Sequence, residues 1–140
     1  MEDPTKIEFD HFYPQSPAEV WKALTDPALI ARWWAPGDIK ALVGHKFTLD
    51  MGSFGKQQCE VLEVEPEKLF KYRFGAGTLN TAIAWKLTPQ SGGTRLDLIH
   101  DRFDAASPMG RQARDGMKAG WPNVLARLES VLAATSPRRP

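Results

Sequence analysis

His100 is the residue in this 140-residue chain that pattern places best for chemistry. It continues the alternation of Leu96 and Leu98, so its imidazole belongs on the apolar side of a strand. An inward histidine can hydrogen-bond a bound molecule or move a proton near neutral pH. Its ordinary alternative is a buried imidazole satisfied by a neighbouring backbone or carboxyl group. Asp97, Asp101, Arg102 and Asp104 cluster around it in sequence, and a carboxylate facing His100 would make a general acid–base pair. Alternation puts Asp97 and Asp101 on the opposite face from His100, which argues against that pair.

The remaining chemical templates fail on spacing. His11 and His45 stand near a strand end and a turn, and the three histidines show no HxxxH or HxH spacing; no metal site is predicted. Cys59 has no CxxC partner and no basic neighbour in sequence, so it reads as a small buried hydrophobe rather than a nucleophile. There is no Gly-x-Ser-x-Gly elbow and no phosphate loop, and Gly75-Ala76-Gly77 is too short to suggest a dinucleotide site, so no cofactor is predicted. What the chain does offer is a large aromatic set: Trp33, Trp34, Phe47, Phe70, Tyr72, Phe74, Trp85 and Trp121. These rings either fill the core or line a small-molecule cavity with a few polar groups set among apolar walls.

The elements that must position them are legible from period and punctuation. Ile7 and Phe9 alternate with Glu8 and Asp10, giving a half-buried first strand. Ser16, Pro17 and Glu19 mark a helix start with a capping box. Pro27 ends that helix, and Leu29, Ile30, Trp33 and Trp34 continue in helical spacing as a second short one. From Gly44 the period changes to two. Phe47, Leu49 and Met51 alternate with polar residues, Gly52 to Gly55 reads as a hairpin turn, and a strand from Gln57 to Glu65 follows. Phe70, Tyr72 and Phe74 share one face of the next strand; Leu79, Thr81, Ile83, Trp85 and Leu87 share one face of the strand after it. Residues 89–93 read as a turn before the strand that carries His100. The last element is a helix over 109–133, with an apolar stripe of Met109, Ala113, Met117, Trp121, Val124, Leu128 and Val131 and with Arg111, Arg114 and Lys118 between. Pro122 predicts a kink or restart within it.

Length and charge bound the function. One domain over 1–134 is expected, with 135–140 a frayed tail. A net charge of +1 predicts no attraction to nucleic acid or anionic membranes, and no apolar run approaches the about 20 residues a bilayer span needs. A single cysteine and a start without a secretory signal make the cytoplasm the expected compartment.

In combination, Ser16-Pro17 to Val20-Trp21, Leu24-Thr25-Asp26-Pro27, Arg32-Trp33-Trp34, Gly44 before Phe47, Gly93-Thr94-Arg95-Leu96 running to His100, and Gly120-Trp121 before Leu125 and Leu128 resemble the family named for the activator of the heat-shock-protein-90 ATPase. That family belongs to the START and birch-pollen-allergen (SRPBCC) superfamily, and the resemblance covers residues 7–133. It implies an α+β helix-grip fold: a curved antiparallel sheet of about six strands, two short helices after the first strand, and a long C-terminal helix closing a hydrophobic cavity. It does not imply one activity, because the superfamily holds lipid carriers, receptors, cyclases and chaperone cofactors.

Two functions of different class are carried forward. One is binding of a small hydrophobic or aromatic molecule in the cavity, with Trp34, Phe47, Tyr72, Trp85, His100, Met117 and Trp121 as its boundary and His100 as the polar contact. The other is a cyclase- or hydrolase-type enzyme using the same cavity, with His100 and Tyr72 as acid–base groups. A chaperone partner, suggested by the family's name, is the least expected, and a second copy docked through a sheet edge or helix is also expected. Polar residues facing His100 across the cavity would favour the enzyme, and apolar walls would favour binding.

Overall fold

A computed structural model describes residues 3–52, 55–77 and 79–135. The chain runs β1 (Ile7–Tyr13), α1 (Pro17–Thr25), α2 (Pro27–Trp33), β2 (Lys46–Asp50), β3 (Lys56–Glu65), β4 (Leu69–Phe74), β5 (Thr81–Gln90), β6 (Gly93–Asp101) and α3 (Pro108–Thr135). All neighbours in the six-stranded sheet are antiparallel, in the order β1-β6-β5-β4-β3-β2. Strands β2 to β6 are thus a meander, and β1 pairs beside β6 while α1 and α2 carry the chain to the far edge. This is the architecture anticipated from the sequence: a curved open sheet, two short helices after the first strand, and one long final helix.

Local chemistry explains the helix junction. Asp26 closes α1 by donating its amide to the Lys22 carbonyl (2.9 Å) and opens α2 by accepting the Ala28 amide on its carboxylate (2.9 Å). Pro27 then supplies a first helical residue that needs no donor. At the start of α1, Ser16 Oγ accepts the Glu19 amide at 3.2 Å as expected, but Glu19 accepts the Ser16 hydroxyl rather than its amide.

Four expectations need correction. The turn predicted over 89–93 is only Ser91-Gly92, because Pro89 and Gln90 still pair with Thr94 and Gly93. Gly92 has φ +81°, the left-handed backbone that so short a hairpin demands. Of the kink or restart expected at Pro122, the restart is absent: the final helix is continuous through it. That proline lies on the exposed side, where water can take the carbonyl it leaves without a helical donor. Arg114, expected on the polar face, is buried. Its guanidinium donates to the Lys6 and Asp3 carbonyls at 3.2 Å, fastening the N-terminal segment to α3. The tail expected over 135–140 loses Thr135, which is the last residue of α3; its remainder over 136–140 and the centre of the turn at Ser53-Phe54 lie outside the described residues.

The apolar stripe of α3 divides into two halves. Trp121, Val124, Leu128 and Val131 are buried against the sheet and the short helices, and the Tyr13 hydroxyl donates to the Leu125 carbonyl at 3.1 Å. Ala113 and Met117 are only half-buried and Met109 is exposed. The first half of the helix therefore has an apolar face that the core does not cover.

Candidate functional site

Between the sheet and the second half of α3 the interior is a layer of buried rings in mutual contact. Trp33 is fully buried, donates its indole N–H to the Ala23 carbonyl (2.9 Å), and meets Trp85 edge-on at 5.7 Å. Trp85 meets Trp121 edge-on at 5.6 Å and donates its indole N–H to the Tyr72 hydroxyl at 2.9 Å. Tyr72 meets Phe47 edge-on at 5.4 Å. Burial pushes the Tyr72 phenol well above its ordinary pKa.

His100 sits within this layer with both nitrogens occupied. The Trp121 indole can only donate, and it lies 3.2 Å from Nδ1, so Nδ1 must carry the lone pair. The ring proton is therefore on Nε2, where it is donated to Thr81 Oγ1 (2.9 Å), and the Thr81 hydroxyl donates onward to the Phe74 carbonyl (2.9 Å). Burial without a charged partner depresses the imidazole pKa to about 3. At neutral pH His100 is uncharged and has no free donor or acceptor. It thus takes the ordinary role weighed for it, though its partners are an indole and a hydroxyl rather than backbone or carboxyl groups.

The other chemistry-bearing residues are also accounted for. Asp97 lies on the outer face, where Arg95 Nη2 sits 3.1 Å from it and 3.0 Å from Asp10. The His11 ring packs on Tyr13 (4.5 Å). That of His45 stacks on Phe47 (6.0 Å), with Nε2 2.7 Å from the Asp38 carbonyl oxygen. Burial pushes the Cys59 thiol up to about 12, so it is protonated and unreactive. Among the described residues no group of three or more His, Cys, Asp or Glu could hold a metal ion.

Space opens beside the first half of α3. A half-open cleft of about 960 Å³ has one wall of Met109, Ala113, Gly116, Met117, Gly120 and Trp121 and an opposite wall of Trp34, Phe74, Leu79 and Met51. Asp50, Lys56, Gln57, Gln112, Asn123 and Arg127 supply its polar edges. Trp34 is the hinge between the packed layer and this space. It is half-buried, stacks on Phe74 at 5.8 Å, and lies 5.0 Å from Trp121.

Of the seven residues chosen from the sequence, Trp34, Met117 and Trp121 line the cleft. Phe47, Tyr72, Trp85 and His100 lie in the packed layer and are not among the residues that line it. Alternation reports which face of a strand is inward but not whether inward space is filled. On the second wall Trp34 was chosen and Phe74 belonged to the aromatic set, whereas Met51, Leu79 and the polar edges were not singled out as site residues. One signal was present: Gly116 and Gly120 are four apart inside a helix, where glycine costs about 1 kcal/mol relative to alanine. A Cβ at either position would meet nothing within 4 Å, so no close packing requires them.

An open antiparallel sheet gripping a long C-terminal helix, with a cleft between them, defines the SRPBCC-like helix-grip class. The chain belongs to the family of activator of Hsp90 ATPase homolog 1-like proteins, which matches residues 14–133. Its fold is similar to the crystal structure of protein MLL2253 from Mesorhizobium loti, with 33% identity, TM-score 0.84, and coverage of 94% of this chain and 99% of that one. It is similar to DynU16, a protein of the dynemicin biosynthetic locus, at 25% identity and TM-score 0.82, covering 99% of this chain and 51% of DynU16. CalU16 from Micromonospora echinospora is similar at 25% identity and TM-score 0.73, covering 91% of this chain and 76% of CalU16. A search of curated proteins finds no match. No described helix is long and apolar enough to cross a membrane.

Proposed function

We propose that this protein binds a small hydrophobic or aromatic molecule in the cleft between the first half of α3 and the wall of Trp34, Phe74, Leu79 and Met51. The observation that carries this reading is the open space above Gly116 and Gly120. Two interior helix positions forgo about 1 kcal/mol each of helix propensity without gaining a packing contact, and their effect is a lower floor under a cavity lined by aromatic and methionine side chains. The volume of about 960 Å³ suits a ligand of drug-like size, and methionines adapt their shape to what they enclose. Similarity to a protein of the dynemicin biosynthetic locus supports a small molecule as the occupant.

The enzymatic alternative draws less support. Its acid–base groups were His100 and Tyr72, and the one has no free nitrogen while the other is fully buried against Trp85.

Titration with the neutral dye N-phenyl-1-naphthylamine tests the reading. Saturable enhancement of dye fluorescence is expected with roughly micromolar affinity, about −8 kcal/mol. Gly116→Leu, whose side chain enters empty space, should fold normally and weaken the dye at least about tenfold by occupying its site. Unchanged affinity in that variant, or no binding to the wild type, would overturn the proposal.

A further inference from the structure

The edges of the cleft carry three charged side chains, Asp50, Lys56 and Arg127. They are not equivalent. Asp50 already accepts the Gly52 amide at 3.0 Å. Lys56 stands opposite Asp50 in the β2–β3 register but makes no ion pair with it, and Arg127 makes none with any described residue. Two unpaired cations thus border an apolar hollow from different elements, Lys56 from the start of β3 and Arg127 from α3. Gln112 and Asn123 add neutral amides to the same edge.

Resting on the binding function proposed above, we infer that the natural ligand is an amphipathic anion: an aromatic or aliphatic body bearing a carboxylate or comparable acidic group. The body occupies the hollow between Trp34, Phe74 and Met117, and the anionic end stays at the half-open mouth, where Lys56 and Arg127 meet it. A wholly apolar molecule would leave both cations facing water alone. A cationic one would add a like charge to an edge where two cations already stand against the single carboxylate of Asp50. Arg127 presents a planar fork of donors that matches a carboxylate in two-point geometry, and Lys56 adds a point charge. Keeping the charged end at the mouth avoids the cost of burying an ion in an apolar interior.

The dye used above has an anionic counterpart, 8-anilinonaphthalene-1-sulfonate, which differs from it only by a sulfonate. At low ionic strength the wild type should bind the sulfonate about tenfold more tightly than the neutral dye, each displacing the other. In the double variant Lys56→Gln/Arg127→Gln, and in about 0.5 M salt, that preference should shrink to about twofold or less. Neutral-dye affinity, read in the same titrations, is the reference against which that ratio is taken, so a general change in the hollow cancels out. Equal binding of the two dyes by the wild type, or a preference that survives the double variant, would overturn the anionic assignment and leave the hydrophobic pocket standing. Failure of both dyes to bind would remove the pocket and this inference together.

Discussion

At His100 two side-chain hydrogen bonds decide a question that strand alternation left open. The imidazole is inward, but an inward donor is available to a ligand only if nothing nearer takes it, and Thr81 and Trp121 take both nitrogens. The depressed pKa has a consequence for stability. An unfolded histidine titrates near its ordinary value of 6.5, whereas burial brings the folded one down to about 3. Between those values the unfolded state binds the extra proton, so His100 contributes stability above pH 6.5 that is lost as the pH falls toward 3. Denaturant unfolding at pH 7 and pH 4.5 should show a loss for the wild type that exceeds the loss for His100→Gln by about 1–3 kcal/mol. Equal pH dependence in the two proteins would contradict the neutral, buried state. Trp33 also belongs to this scale. It is fully buried with its indole N–H satisfied, so Trp33→Ala should cost about 3–5 kcal/mol in the same assay.

Among the elements, α3 does two jobs with its two halves. The second half packs Trp121, Val124, Leu128 and Val131 into the core, and the first half lays Met109, Ala113, Gly116 and Met117 along the cleft. The double variant Gly116→Ala/Gly120→Ala should therefore raise folding stability by about 1–2 kcal/mol, because each Cβ meets empty space and improves helix propensity. The same variant should bind the neutral dye more weakly, since two methyl groups intrude on the hollow. Glycines with a purely structural role would not give these opposite signs. Arg114 is the other device of this helix. Removing its guanidinium leaves the Lys6 carbonyl without its two donors, so Arg114→Met should destabilise by about 1–3 kcal/mol without affecting dye affinity, as Arg114 does not line the cleft.

For the molecule as a whole, the architecture was legible in the sequence because each element announces itself locally. Alternation in Phe70, Tyr72 and Phe74 marks one strand, Ser16-Pro17 marks the first helix start, Pro27 the break before the second helix, and the stripe from Met109 to Val131 the closing helix. The site was half legible. Trp34, Met117 and Trp121 were reachable from periodicity, whereas Phe47, Tyr72, Trp85 and His100 share the same inward register yet are buried in ring contacts with one another or with Trp121. Whether inward positions enclose space depends on how side chains from distant elements interdigitate, which no local period records. Arg114 escaped for a related reason: its burial follows from the path of the N-terminal segment across α3.

The central claim is that the cleft beside the first half of α3 holds the ligand, and the methionines make it directly measurable. Of the four in the chain, Met51, Met109 and Met117 line the cleft on two different walls. With methyl-¹³C methionine in the wild type and resonances assigned by single Met→Leu variants, titration of N-phenyl-1-naphthylamine should shift the methyl signals of all three, saturating at the affinity read from dye fluorescence. Saturable binding that moves none of these three signals would place the ligand elsewhere and contradict the account.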